Sequence, residues 1–82
     1  MDIQRRVGRN VRRLRRERGL SQEELGFEAD LYRTYISGVE RGIRNPTLLI
    51  IEKIAAALGT PPHTLLEPVQ GAASRRRDEA TS

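Results

Sequence analysis

Apolar residues recur at helical spacing along most of the chain. Ile3, Val7, Val11 and Leu14 stand three or four apart with arginine on most other sides, which predicts an amphipathic first helix ending near Gly19. Ser21 is a good N-cap, and Glu24 three residues later completes a capping box. Leu20 and Leu25 can staple that helix start, and Leu25 and Ala29 share one face. Gly26 within the same helix suggests that a second helix approaches closely there. Asp30 ends this helix comfortably and can cap the next, which carries Ile36 and Val39 inward and stops at Gly42. Two short helices joined by so few residues suit a helix-turn-helix unit.

Pro46 forbids a strand interior and restricts Asn45, so Ile43–Pro46 reads as a loop. Thr47 can cap a fourth helix whose stripe is Leu48, Ile51, Ile54, Ala55 and Leu58, with Gly59 as its stop. Leu49 and Ile50 fall off that stripe. Single apolar residues there are ordinary surface, but an adjacent pair in so small a domain points to a dimer interface. Thr60 to Leu66 reads as a cap, proline and one short last helix, with Leu65 and Leu66 closing the core or joining the dimer contact. From about Glu67 the chain turns small, polar and aperiodic, so residues 67–82 are expected to be a disordered tail behind a single domain of residues 1–66. Its Arg75-Arg76-Arg77 run reads first as solvated. No segment reads as a strand, and the expected class is all-α.

Composition sharpens this in one respect. Of the 15 basic residues, 14 are arginine, against 11 acidic ones. Residues 1–18 hold eight arginines against Asp2 and Glu17, a balance of +6, which leaves −2 for the remainder and +4 in total. So basic an end suggests an anionic polymer as partner, and the guanidinium fork suits phosphate. The basic face of the first helix has three readings: a solvated surface, contact with anionic lipid, or neutralisation of DNA phosphates. The apolar stripe is thin for a membrane, and a mixed role with a few arginines on phosphate is the expectation. No apolar run approaches the ~20 residues of a membrane span. The N-terminus lacks the apolar core of a secretory signal. With no cysteine there is neither a disulfide framework nor a thiolate metal site, which fits a reducing cytoplasm.

Candidate chemistry is one of contact rather than catalysis. His63 is the only histidine, no carboxylate cluster stands near it, and the glycines form no phosphate-cradling loop. No enzyme, metal, cofactor or small-molecule ligand is expected. The outer face of the helix spanning about residues 32–41 presents Arg33, Thr34, Ser37, Gly38 and Arg41, with Tyr35 to one side. Arginine can take guanine O6 and N7 bidentately, threonine can meet a thymine methyl, and glycine lets backbone lie close to a groove. These residues are equally compatible with an ordinary solvated face.

The runs Gly19–Leu25, Arg33–Gly42 and Arg44–Thr47 resemble the phage-repressor and Cro type of helix-turn-helix regulator. Arg33 to Asn45 is similar to the controller proteins of restriction–modification systems. The resemblance spans about Val7 to Leu66 and implies five helices, with dimers on paired operator half-sites of double-stranded DNA. It places the helix from Tyr32 to Arg41 in the major groove of a cytoplasmic, nucleoid-associated regulator. It implies that Arg33, Thr34, Ser37 and Gly38 read bases, and that Gln22, Tyr35, Arg41, Arg44 and Asn45 serve phosphates. It also implies an ion pair between Arg15 and Glu40. Two positions depart from the pattern. Tyr32 stands where a Ser, Thr or Asp often caps the reading helix, and Asp30 stands where Gly is frequent. An antitoxin-like interaction module with secondary DNA binding is one alternative, and non-specific nucleic-acid binding through the Arg-rich first helix alone is another.

Overall fold

A computed structural model describes residues 2–68, so the tail anticipated from Glu67, including Arg75–Arg77, lies almost wholly outside the described residues. The elements are α1 (Ile3–Glu17), α2 (Gln22–Ala29), α3 (Arg33–Glu40), α4 (Leu48–Leu58) and a final 3-10 helix (Pro62–Leu66). The all-α class holds, with the fifth helix wound as 3-10 rather than α.

Each start and stop has a local cause. Asp2 caps α1 by accepting the Arg5 N–H at 2.8 Å. Ser21 and Glu24 form the full capping box of α2: the Glu24 N–H donates to Ser21 Oγ at 3.0 Å and the Ser21 N–H to Glu24 Oε1 at 2.8 Å. The hydrogen bond from the Ser21 backbone holds the Glu24 carboxyl below its ordinary range. Thr47 caps α4 through the Ile50 N–H. Gly19, Gly42 and Gly59 all take positive φ just past helix ends, where glycine carries no Cβ penalty.

Asp30 also has positive φ (59°) and terminates α2, with the Leu31 N–H closing back on the Gly26 carbonyl at 2.8 Å. Asp tolerates this left-handed conformation better than most residues with a side chain. It therefore does not cap α3. Gly26 is small for a more local reason than the one anticipated. A Cβ there would lie 2.6 Å from the Leu31 carbonyl oxygen, so the crowding comes from the turn itself.

The core receives Val7 and Val11 from α1, Leu25 and Ala29 from α2, and Ile36 and Val39 from α3. Ile51, Ile54, Ala55 and Leu58 of α4 and Leu65 of the last turn complete it. Two expected core members are displaced. Ile3 is half-exposed and Leu48 is 83% exposed, each being the first residue of its helix, where the stripe continues but the packing partners do not. Thr60 does not cap the last turn, which has no side-chain cap. Its N–H instead closes α4 on the Ala55 carbonyl.

Polar side chains tie the ends together. Buried Asn10 donates from Nδ2 to the carbonyls of Leu65 (2.9 Å) and Glu67 (2.8 Å). Arg18 donates to the Leu58 carbonyl at 2.7 Å and so satisfies the end of α4. Gly8 lies where α1 crosses the end of α3, and a Cβ there would abut the Val39 and Glu40 carbonyl oxygens.

Candidate nucleic-acid interface

The turn between α2 and α3 leaves the start of α3 open. Tyr32 sits at the N-cap in extended conformation and makes no side-chain cap bond. Among the described residues, the Arg33 and Thr34 N–H groups have no protein acceptor. The first turn of α3 holds no acidic residue, and Arg33 places a cation at the positive end of the helix dipole. That arrangement does nothing for helix stability, but it suits an anion.

Arg33 and Thr34 are both exposed on this end, Ser37 is half-buried one turn on, and Arg41 is exposed at the C-cap. Asn45 is exposed in the following loop. The expected outer-face residues are thus brought to one side, with one correction. Gly38 is buried beneath the Arg44 side chain, whose Cγ would stand 2.7 Å from a Cβ at position 38. Its lack of a side chain makes room for Arg44, so no bare backbone is presented there. The Arg44 guanidinium then reaches the Tyr35 ring, 5.5 Å from its centroid, in cation–π geometry.

Behind this face is a cluster linking three helices. Arg15 Nε donates to Glu40 Oε2 at 2.6 Å and Nη2 to Oε1 at 3.0 Å, a bidentate fork. Arg15 Nη1 donates to the Leu20 carbonyl at 2.8 Å. Gln22 Nε2 donates to Glu40 Oε1 at 3.1 Å, so Gln22 braces the end of α3 from the start of α2. The bond to Glu40 raises the Arg15 pKa above its already high ordinary value, which keeps it charged.

Gln4, which no motif or periodicity singles out, fixes the α3–α4 loop. Its Nε2 donates to the Arg44 carbonyl at 2.9 Å and lies 3.5 Å from that of Gly42. Leu49 is 63% exposed near the start of α4, beside Leu48 and with Ile43 exposed on the preceding loop. Ile50 is only half-exposed and packs partly on the core, so the exposed apolar surface at the start of α4 centres on Leu48 and Leu49. Among the described residues no cluster of His, Cys, Asp or Glu could hold a metal, and no helix is long and apolar enough to cross a membrane.

Comparison with known proteins bears on the fold and the family. Control protein C.BamHI of Bacillus amyloliquefaciens is 54% identical over 61 residues, covering 73% of this chain and 75% of that protein. The crystal structure of the restriction–modification controller protein C.AhdI from Aeromonas hydrophila superposes with a TM-score of 0.74 at 47% identity, over 76% of this chain and 94% of that one. The biofilm master regulator SinR, solved in complex with DNA, gives a TM-score of 0.71 at 35% identity, over 74% of this chain and 98% of that one. The helix-turn-helix family profile HTH_3 matches residues 11–65, and with motif, fold and relatives in agreement the chain belongs to that family.

Proposed function

We propose that the chain is a sequence-specific DNA-binding transcription regulator of the restriction–modification controller type, acting as a dimer on a symmetric operator. The observation that carries this is the exposed, uncapped start of α3, where Arg33 and Thr34 stand on a helix braced from behind by Arg15, Glu40 and Gln22. In this reading α3 enters the major groove and Arg33, Thr34 and Ser37 face base edges. Gln22, Tyr35, Arg41, Arg44 and Asn45 serve the phosphates beside them. Gly38 acts indirectly, by letting Arg44 lie across the helix. The relatives are regulators, and a cytoplasmic place on DNA follows from the partner.

Selection of bound duplexes from a random pool tests the proposal. Enriched sequences should show two related half-sites about 10–10.5 bp apart, the spacing of two-fold related reading helices. Absence of any enriched sequence would reject it. Arg33→Ala is expected to cost ~1–3 kcal/mol and relax preference at one base pair. Loss of affinity by the same factor on every duplex would move Arg33 from base to phosphate.

The dimer is assigned to the apolar surface of Leu48, Leu49 and half-buried Ile50. Leu49→Glu should yield monomers in sedimentation and weaken operator binding, with little effect on folding because Leu49 is exposed. A sedimentation profile identical to the parent protein's would remove Leu49 from the interface.

A further inference from the structure

Four of the eight arginines of residues 1–18 form a row. Arg5, Arg9, Arg12 and Arg16 fall within about 60° of arc on α1 and span roughly 16 Å along its axis, at 3.6 residues per turn and 1.5 Å per residue. All four are exposed. Arg5 lies 3.9 Å from an equally exposed Asp2 carboxylate. Among the described residues Arg9, Arg12 and Arg16 have no acidic partner, since Glu17 pairs with Arg13 and Glu40 with Arg15. Like charges three and four apart on a helix destabilise it, and a solvated helix face more often alternates in sign. The row therefore works against the fold that carries it.

Its placement is specific. Gly8 turns toward the end of α3, whereas Asn10 and Arg6 reach the last 3-10 turn on the other flank. Arg12 stands one turn beyond Gly8, on the α3 side. Arg5 abuts Gly42, where a Cβ would lie 2.8 Å from Arg5 Cγ and 3.2 Å from its Cα. The row thus begins against the loop that holds Arg41 and Arg44 and continues the basic surface of that loop along α1. Each strand of a duplex carries one charge per ~3.4 Å of axis, so ~16 Å of helix runs beside at most about five phosphates of one strand, enough for the four arginines.

We propose that Arg5, Arg9, Arg12 and Arg16 form a phosphate track that binds the backbone of the operator duplex beside the groove α3 occupies, without regard to its sequence. This rests on the DNA-binding reading above and adds a contact outside the helix-turn-helix unit.

The test compares the parent chain with the triple variant Arg9→Gln, Arg12→Gln, Arg16→Gln on the selected operator, with and without six base pairs of arbitrary flank. If each arginine neutralises one phosphate, the slope of log K against log salt should become shallower by about 2.7, which is ~40-fold less loss of affinity between 50 and 200 mM salt. The parent should bind the flanked duplex more tightly and the variant should lose that gain. Discrimination between the operator and a one-base mismatch should be the same in both, and the variant's Tm should not fall. An unchanged slope and flank gain would overturn the track. So would tighter binding of the parent to phosphatidylserine vesicles than to flanked duplex, if the triple variant abolished only the vesicle binding. A parent chain that selects no operator would instead defeat the regulator reading, and the slope on arbitrary duplex would still decide the track.

Discussion

Glu40→Ala is expected to remove roughly 3–5 kcal/mol of stability, because it leaves a buried cation without its counter-charge. Glu40 accepts from Arg15 Nε and Nη2 and from Gln22 Nε2, and both its carboxylate oxygens are used. Arginine cannot escape by losing its proton at any ordinary pH, and the bond to Glu40 raises its pKa further. With its folded pKa raised, Arg15 stays charged through the neutral range, and its part of the contribution is lost as pH rises through that raised value in strong alkali. Against a total of about 5–15 kcal/mol for a typical domain, the loss would unfold a large part of the population on mild warming. Removing both charges should be far gentler. A chain with Arg15→Met and Glu40→Leu should regain most of the stability, since apolar replacement of a buried pair is often neutral. Urea unfolding of the single and double variants measures this. A loss below 1 kcal/mol for Glu40→Ala would mean that water already reaches the pair.

The double variant should still bind DNA less well. Arg15, Gln22 and Glu40 join α1, the start of α2 and the end of α3, and the Leu20 carbonyl completes the set. The pair fixes where α3 sits relative to Gln22, and apolar packing has no equivalent directionality. Stability and orientation therefore separate in this experiment.

The features legible in the sequence are those written in neighbouring residues. The Ser21–Glu24 box, the Thr47 cap and the stop at Gly59 each lie within a turn of the helix end they define. The stripes of α2, α3 and α4 likewise declare an inner side. Periodicity says which way a residue points but not whether anything stands opposite, which is why it places Leu48 and Ile3 inside while the fold leaves Leu48 exposed and Ile3 half-exposed. Contacts to distant backbone carbonyls were not legible at all. Gln4 bonds to a carbonyl 40 residues away and Asn10 to carbonyls 55 and 57 residues away, and no residue type marks such an acceptor. Among the site residues, Arg33 and Thr34 were readable as an outward edge. The covering of Gly38 was not, because it depends on the path of the loop that carries Arg44. Tyr32 offered a usable clue. A residue unable to cap stands where a cap is needed, and the consequence is a helix start left open.

Gly8 and Gly38 give the second large effect, through opposite signs for the same substitution. In an exposed helix interior, Gly→Ala gains about 1 kcal/mol from helix propensity alone. At Gly8 the added methyl would press on the Val39 carbonyl oxygen and come within 2.7 Å of the Glu40 oxygen and 2.9 Å of the Glu40 carbonyl carbon. Those are backbone atoms of a packed helix, so relief requires α1 and α3 to separate. Such overpacking typically costs ~1–3 kcal/mol, which outweighs the propensity gain. At Gly38 the obstacle is the exposed Arg44 side chain from Cγ outward, and one change of its χ1 turns it away from the helix into solvent. Gly38→Ala should then keep or slightly raise stability, while releasing Arg44 from the Tyr35 ring and weakening operator binding. Thermal unfolding with an operator titration on both variants separates the two roles. A higher Tm for Gly8→Ala would show that α1 and α3 can move apart without cost, and the close crossing at Gly8 would then not be what sets the position of the reading helix.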